Sequence, residues 1–271
     1  MKKRIALLIL AGIAATPVAA LAADGFAYAD VLSAYVYNGQ VGNDEAVFEP
    51  GLDVAGPLGL GYSLWANMNL TDNDSVWAPD TAGKWSELDL GLNWTLPVKG
   101  PVSFVLGSIY FVYPQNDSEI EESDDGTMSA SKAPADGSYE VYVKAAAEDI
   151  LLKPSVKFCH DLDNQDDWIA LFTIGHSFDL KGKISLELLG TLGCAGDYYV
   201  ETNYGSDAGT TFTHAQVDAV LRYTLSEQAS VGLKGSYCSI VDSQVRDDIQ
   251  AGDVYPDVDI FFGGVTASYS F

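Results

Sequence analysis

The chain has few basic residues, only three cysteines and, after residue 22, no run of about 18 or more apolar residues of the kind that a transmembrane helix needs. Lys and Arg number 14 against 38 Asp and Glu, which gives a formal net charge of -24. Because nucleic acids are bound through stripes of Lys and Arg, the sequence predicts no nucleic-acid partner. Cys159, Cys194 and Cys238 have neither the number nor the spacing of a disulfide framework or a zinc site. We therefore expect free thiols, no metal and no cofactor.

The acidic residues must be segregated from the rest of the chain, because 48% of residues are hydrophobic and only 19% are charged. The amino terminus has the pattern of an export signal. A basic start, an apolar run and the small residues Ala20 and Ala22 predict a signal peptide over residues 1–22, cleaved before Ala23. We expect residues 23–271 to form one domain.

Hydrophobic and polar residues alternate with a period of two, which is the pattern of β-strands with one apolar face. In the last segment, Val265, Tyr269 and Phe271 fall on one face, and Ser268 and Ser270 fall on the other. An apolar outer face with a small or polar inner face is typical of the wall of a membrane barrel. Twelve segments are predicted to be strands: 26–37, 45–55, 58–70, 84–96, 101–113, 138–147, 153–161, 167–178, 183–199, 211–225, 229–241 and 258–271.

The connections between these segments alternate in length. Tight connections such as 56–57 and 226–228 follow even-numbered strands, and long ones such as 114–137 and 242–257 follow odd-numbered strands. Outer-membrane barrels have short periplasmic turns and longer extracellular loops. The sequence therefore predicts an all-β, antiparallel, up-and-down transmembrane barrel of about 12 strands, with both termini on the periplasmic side. Aromatic residues at the short-turn ends of the strands predict a periplasmic girdle: Trp94, Phe178, Tyr223, Tyr269 and Phe271.

The inner face of the predicted barrel supplies the candidate site residues. By alternation, ten residues are expected to line the lumen: Glu87, Asp89, Glu140, Lys144, Lys157, Glu187, Gln216, Asp218, Arg222 and Lys234. Six acids in a long connection are expected to form an extracellular rim: Asp117, Glu119, Glu121, Glu122, Asp124 and Asp125. Opposed charges inside a barrel can pair into a plug, or they can select small ions.

Several short stretches carry a resemblance to a known family. They lie at 30–39, 61–67, 87–89, 107–114, 139–143 and 152–155. These stretches resemble the TorF-type family of outer-membrane porins, and the resemblance implies a barrel with a pore. Tyr269 and Phe271 also resemble the carboxy-terminal signal that the barrel-insertion machinery recognises. Members of that family tend to place an arginine before the glycine of the first-strand motif, where this chain has Asn38.

Two other functions stay open at this point. A barrel enzyme is one, since His160 precedes Asp161 and His176 precedes Ser177. Neighbours in a strand point to opposite faces, however, so neither pair can form a dyad by itself. We expect His160 and His176 to face outward and His214 to face the lumen. The second alternative is a closed structural or surface-interaction barrel, in which paired charges and the 114–137 loop fill the interior.

The acidic stretch 161–167 has carboxylates at alternate positions, as calcium loops do. It lacks the glycine and the distal glutamate of such a loop, so we interpret it as a solvated acidic loop.

The sequence thus predicts a narrow passive channel for small solutes, favouring cations, in the outer membrane of a Gram-negative bacterium. No catalytic residue is predicted. The expected partners are outer-membrane lipid and lipopolysaccharide, the insertion machinery, and small solutes or ions.

Overall fold

The computed structural model describes residues 23–71, 82–114, 120–122, 128–130, 137–163, 165–252 and 254–271. Its strands are β1 (Asp24–Leu32), β2 (Tyr35–Tyr37), β3 (Gln40–Asn43), β4 (Val47–Ala55), β5 (Leu60–Asn69), β6 (Trp85–Thr95), β7 (Ser103–Val112), β8 (Ile120–Glu122), β9 (Met128–Ala130), β10 (Gly137–Ala146), β11 (Ser155–Asp161), β12 (Trp168–Lys181), β13 (Ile184–Ala195), β14 (Thr211–Thr224), β15 (Ala229–Ile240) and β16 (Asp259–Ser270). Two α-helices occur among these residues, α1 (Asp197–Tyr204) and α2 (Ser243–Gly252), and a 3-10 turn spans Pro57–Gly59. The predicted signal peptide lies outside the described residues.

Twelve of the strands form a closed antiparallel barrel. Each barrel strand pairs with the barrel strands before and after it in sequence, and β1 pairs with β16 to close the wall. The remaining strands form two small sheets, β2 with β3 and β8 with β9. The predicted all-β, up-and-down barrel of twelve strands is confirmed. We call its two ends the short-turn end, which also carries residues 24 and 271, and the long-loop end.

The outside of the barrel is apolar, because each strand places alternate residues on its two faces. Outward side chains around the wall include Leu64, Leu92, Val141, Phe172 and Leu233, all of them exposed in the isolated chain. Such a continuous apolar surface is what a lipid-facing wall requires. Among the described residues, neither helix has the length and hydrophobicity to cross a bilayer.

The first predicted strand, 26–37, is wrong at its carboxyl end. The wall strand stops at Leu32, and residues 33–46 turn back as a small hairpin built from β2 and β3. Asn38 and Gly39 form its turn, with φ of 50° and 84°. Left-handed conformations at both central positions are the geometry of a tight hairpin turn, and Asn-Gly is the dipeptide that adopts it most readily. We call residues 33–46 the inner hairpin.

The predicted strand 183–199 is also wrong at its end, because the wall strand stops at Ala195 and α1 follows. Gly205 ends α1 in the left-handed conformation, with φ of 65°. Helix α2 lies in the long connection 242–257. Val245 and Ile249, four residues apart, form its buried face.

The apolar core lies inside the barrel, at the long-loop end. It combines the inner hairpin and both helices with inward residues of several wall strands. Its buried members are Ala34, Val41, Cys159, Ile169, Ala195, Tyr199, Val200, Tyr204, Cys238, Ile240, Val245, Ile249, Tyr255, Val258, Ile260 and Phe262. We call this filled region the plug. It brings together residues from both ends of the sequence, from Ala34 to Phe262.

Candidate functional site in the barrel interior

The strand register places all ten candidate lumen residues on the inward face of the wall. On β6, Glu87 pairs with Asn67 of β5, and Asp89 pairs with Trp65. Both partners lie on the inward face of β5, because they alternate with the outward Leu64 and Ala66. The same parity continues around the barrel to Lys234 on β15. Their role in conduction stays a prediction. Further inward carboxylates, which alternation alone did not single out, include Asp30, Glu49, Asp53 and Asp161.

Three of the four inward bases form ion pairs with inward acids. Arg222 Nε lies 2.8 Å from Glu187 Oε1. Lys157 Nζ lies 3.3 Å from Glu140 Oε1, and its ammonium group also lies 4.3 Å from the centre of the Tyr142 ring. The third pair links Lys234 Nζ to Asp30 Oδ2 at 3.5 Å, across two strand interfaces. The fourth base, Lys144, lies directly opposite Lys157 in the register.

Four polar side chains form a row across adjacent strands. Asp30 pairs with Glu49, Asn67 pairs with Glu87, and the β4–β5 register brings Glu49 and Asn67 to the same level. All four are buried. Asp30 Oδ1 and Asn67 Oδ1 have no hydrogen-bond partner within the described part of the chain. We call Asp30, Glu49, Asn67 and Glu87 the acidic row; it carries more acceptors than donors.

The inner hairpin contacts this row and reaches the opposite wall. Tyr35 donates a hydrogen bond to Glu87 Oε2 at 2.6 Å, and its ring lies 5.4 Å from that of Trp65. The Tyr37 ring lies 6.2 Å from that of Phe111. Gly39, at the tip, packs so closely against His214 that a Cβ atom there would lie 2.6 Å from His214 Cβ. These contacts on β5, β6, β7 and β14 show that the inner hairpin spans the interior.

Helix α1 and the segment after α2 hold the inner hairpin from the other side. Tyr204 donates to the backbone oxygen of Asn38 at 2.5 Å, and Asn38 Nδ2 donates to the Tyr199 hydroxyl at 3.3 Å. The Tyr255 hydroxyl lies 2.9 Å from Gln40 Oε1. Burial raises the pKa of the Tyr204 and Tyr255 phenols, so both remain neutral hydrogen-bond donors. Asn38 therefore joins the turn of the inner hairpin to α1 through both its backbone oxygen and its side-chain amide.

Both helices receive amino-terminal caps from aspartates. Asp167 accepts the backbone N–H of Tyr199 at 2.7 Å and so caps α1 from another loop. Asp242 accepts the N–H groups of Gln244 and Val245 at the start of α2. The hydrogen bonds from the Val245 backbone and the Thr211 hydroxyl lower the pKa of Asp242. The caps fix both helices above the inner hairpin.

The inward face changes from buried to exposed along the barrel axis. On β1, Leu32 is 3% exposed and Phe26 is 37% exposed. On β13, Ala195 is 0% exposed and the inward Leu189 is 43% exposed. The interior is therefore accessible from the short-turn end and filled at the long-loop end. We call the accessible part the vestibule.

The remaining candidate residues have mixed outcomes. Asp117, Glu119, Asp124 and Asp125 lie outside the described residues. Glu121 and Glu122 belong to strand β8. Tyr269 and Phe271 lie on the outward face at the short-turn end, and their rings are 6.5 Å apart.

All three cysteines are free, as predicted. Cys159 and Cys238 are buried in the plug, whereas Cys194 faces outward.

The histidines face the directions that the alternation predicts. His160 and His176 point outward, and His160 Nε2 lies 3.4 Å from the exposed Asp166. His214 points inward, next to an irregularity in the β13–β14 register that turns Thr213 inward as well. Thr213 Oγ1 and His214 Nδ1 lie 3.0 Å apart. Both side chains are fully buried, so a substrate has no access to them.

The two ends of the acidic loop 161–167 are hydrogen-bonded to the rest of the fold, while Asp163 and Asp166 are exposed. Asp161 accepts the Ser138 hydroxyl at 2.5 Å and the backbone N–H of Asp163 at 2.9 Å. Asp167 caps α1. Within the described ranges, no cluster of His, Cys, Asp and Glu has a geometry that could hold a metal ion.

The fold is similar to that of solved outer-membrane proteins. One is the KdgM porin, with a TM-score of 0.50 and 9% identity over 92% of this chain and 99% of that chain. This chain has a porin-like barrel fold. Two further solved structures have similar folds. An outer membrane channel from Pseudomonas putida F1 has a TM-score of 0.49 and 10% identity, over 95% of this chain and 97% of that chain. The NanC porin has a TM-score of 0.47 and 13% identity, over 92% of this chain and 99% of that chain. Neither a family model nor a curated protein matches the sequence, so the resemblance to the TorF-type family stays a prediction.

Proposed function

We propose that this chain is an outer-membrane channel for small solutes of a Gram-negative bacterium, that it favours cations, and that the inner hairpin holds it closed. One observation carries the proposal: the vestibule is polar, charged and accessible from the short-turn end, while the outer wall is apolar. A closed structural barrel has no need of an accessible charged interior. The apolar wall needs a lipid environment, and barrels of this type occur in outer membranes.

Cation preference follows from the charges on the inward face. Among the described residues, the inward carboxylates include those of Asp30, Glu49, Asp53, Glu87, Asp89, Glu140, Asp161, Glu187 and Asp218, and they outnumber the inward bases Lys144, Lys157, Arg222 and Lys234. In a narrow pore with low-dielectric walls, such an excess of negative charge attracts cations and repels anions.

A closed barrel is the second candidate, and the plug favours it. Buried residues of the described part of the chain fill the long-loop end. The plug is formed by the inner hairpin and the two helices rather than by the predicted 114–137 loop, most of which lies outside the described residues. A channel is preferred over an enzyme because His214 is inaccessible and the other two histidines face outward.

Planar-bilayer recording of the refolded chain separates these candidates. The test variant replaces residues 35–42 by a short Gly-Ser linker, and a second variant, Tyr35→Ala with Tyr37→Ala, keeps the backbone of the inner hairpin. Heat-modifiable mobility on a gel checks that each barrel is folded. We expect rare, small conductance steps in the wild type, larger steps in both variants, and reversal potentials that favour cations. Absence of any steps from folded barrels of both variants would overturn the channel proposal and support the closed barrel.

A further inference from the structure

Several oxygen atoms of the acidic row have no partner in the described part of the chain. Glu49 forms no hydrogen bond or ion pair with another described residue, although it is only 8% exposed. Asp30 binds Lys234 through Oδ2, and its Oδ1 atom is buried without a partner. Asn67 Oδ1 is also buried without a partner. A buried acceptor without a donor costs free energy, so these neighbouring oxygen atoms need donors that the described residues do not supply.

Hydrogen bonds fix which end of the Asn67 amide lacks a partner. Its Nδ2 atom donates to Ser86 Oγ at 2.6 Å and to Asn69 Oδ1 at 3.2 Å. The Ser86 hydroxyl donates its own proton to the Asn67 backbone oxygen at 3.3 Å, so it can only accept from the amide. Oδ1 is therefore the end of the amide that is turned away from Ser86. Asn67 is 0% exposed, so its orientation is held by the fold rather than by solvent.

Aromatic rings border the acidic row on its short-turn side. On β4, Gly51 is the next inward residue after Glu49, and it pairs with Tyr28 of β1 and with Trp65 of β5. The Tyr28 ring lies across Gly51 so closely that it leaves no room for a Cβ atom there. Asp53, the next inward residue of β4, is exposed. The Tyr28 ring therefore lies between the acidic row and the vestibule.

The charge and the spacing of these groups decide what can bind them. Among the described residues, Lys234 is the one base that forms an ion pair with the row, which carries the carboxylates of Asp30, Glu49 and Glu87. Water supplies donors but no positive charge. Neighbouring strands lie about 4.8 Å apart, which is too wide for ligands that converge on a metal ion at about 2.0–2.6 Å. A cation that carries its own N–H donors fits the unpartnered oxygen atoms better.

We propose that the acidic row and the Tyr28 ring form a binding site for a primary alkylammonium ion, which enters from the vestibule. The inference rests on the proposed function for its physiological use, and it names a class of solute that such a channel admits. The ammonium group donates to Glu49 and to the unpartnered oxygen atoms that flank it, over about 2.7–3.2 Å. The alkyl chain lies along the Tyr28 ring, whose face also attracts a cation.

Glu49 is the principal partner, because it is the carboxylate of the row that has no other contact of this kind. Glu87 already accepts the Tyr35 hydroxyl at 2.6 Å, and Asp30 already binds Lys234. Glu49 lies between Asp30 and Asn67 in the register of three adjacent strands. A bound ammonium group at Glu49 is thus next to both of the oxygen atoms that lack a donor.

Equilibrium dialysis of n-butylammonium against the refolded chain in neutral detergent tests the site. At pH 7 the amine is protonated, as a lysine side chain is. Tetramethylammonium has the same charge without an N–H donor, and n-butanol has the same chain without the charge. We expect n-butylammonium to bind about tenfold more tightly than either compound. Equal binding of n-butylammonium and tetramethylammonium would overturn the site.

Glu49→Gln removes the principal partner and keeps the shape of the side chain. We expect it to weaken n-butylammonium binding by about tenfold, because a charge-assisted hydrogen bond is lost. Asp179→Asn is the control, because it removes an inward charge from β12, on the opposite side of the barrel from β4, and should bind as the wild type does. Equal weakening by the two variants would assign the binding to the general field of the interior and overturn the site.

Two substitutions of Tyr28 test the aromatic side of the site, and they keep it testable if Glu49→Gln does not fold. Tyr28→Leu removes the ring and should weaken binding by about threefold, whereas Tyr28→Phe keeps the ring and should bind as the wild type does. Heat-modifiable mobility checks that each barrel is folded. Unchanged binding in a folded Tyr28→Leu barrel would remove the ring from the site and contradict the proposal.

The failure of this site and the failure of the channel can be told apart, because dialysis measures binding and bilayer recording measures permeation. Cation-selective conductance steps without n-butylammonium binding leave the channel and remove the site. Binding that Glu49→Gln weakens, in a barrel that never conducts, leaves the site and removes the channel.

Discussion

The phenol of Tyr204 donates to the backbone oxygen of Asn38 at 2.5 Å and so joins α1 to the turn of the inner hairpin, 166 residues earlier in the chain. Tyr204 is fully buried, and its hydroxyl supplies a donor to the backbone of the turn inside the barrel. The loss of a buried hydrogen bond of this kind costs about 1–3 kcal/mol, because the acceptor stays unsatisfied. The plug therefore depends on contacts that the wall does not share.

Tyr204→Phe should loosen the plug and leave the barrel intact. The ring remains, so packing is preserved while the Asn38 oxygen loses its donor. We expect faster maleimide labelling of Cys238, by about tenfold, with unchanged heat-modifiable mobility. Tyr198→Phe is the matched control, because Tyr198 is an exposed residue of the same helix. Equal effects of the two variants would contradict the role of Tyr204.

Gly39→Ala should displace the turn of the inner hairpin. Its φ of 84° disfavours a side chain, and the new Cβ would lie 2.6 Å from His214 Cβ. Gly209→Ala has a similar φ of 74° with nothing within 4 Å, so it carries the backbone strain without the collision. Faster labelling of Cys238 is expected for Gly39→Ala only. A matching increase for Gly209→Ala would mean that the close packing at the tip has no effect.

Acidification should loosen α2 through its cap. The pKa of Asp242 is lowered in the folded chain, so its stabilising effect is complete above the ordinary pKa of an aspartate and is lost as the pH falls through the lowered value. Hydrogen exchange of residues 243–252, corrected for intrinsic rates, should lose protection below about pH 4. Asp242→Asn retains a capping oxygen and does not titrate. Its protection should therefore change less with pH than that of the wild type; an identical pH response would assign the effect to other acids.

If the chain conducts as proposed, Glu187→Gln should weaken its preference for cations. The change removes one inward charge and leaves Arg222, 2.8 Å away, without its ionic partner in the vestibule. In a salt gradient, the reversal potential should shift toward the anion value. Glu227→Gln removes the same charge from an exposed short turn and should shift the potential less. If Glu227→Gln has the larger effect, charge at the mouth rather than in the vestibule sets selectivity.

Leu233→Arg should destabilise the barrel by about 2–4 kcal/mol if this face is near the middle of the bilayer. Leu233 is an outward residue of β15 and is 60% exposed in the isolated chain. Leu225→Arg places the same charge at the short-turn end, where the penalty should be about 0–1 kcal/mol. Denaturant unfolding in lipid vesicles measures both. Equal losses would place the two positions at the same depth.

The amino-acid sequence determined the wall of this barrel. Period-two alternation gave all twelve barrel strands to within a few residues at most ends, because a wall between lipid and a polar interior constrains every second residue. The alternation also assigned Glu87, Glu140 and Arg222 to the inward face, and it oriented the three histidines. The dipeptide Asn38-Gly39 is typical of a tight hairpin turn, but it lies within a longer alternating stretch that predicted a strand. The four-residue spacing of Val245 and Ile249 is typical of a helix, but two residues alone do not predict one.

The tertiary structure decided what fills the interior. Nothing in the local sequence indicates that residues 33–46 fold inward, because the partners of the inner hairpin come from β6, β7, β14 and α1 and meet it only in the closed barrel. The same holds for the acidic row, in which Asp30, Glu49 and Glu87 are neighbours through the register of four strands. Alternation specifies which face a side chain occupies, but the distance between two side chains on that face depends on strand pairing and closure. Whether the interior forms a pore or a plug is therefore a property of the folded barrel.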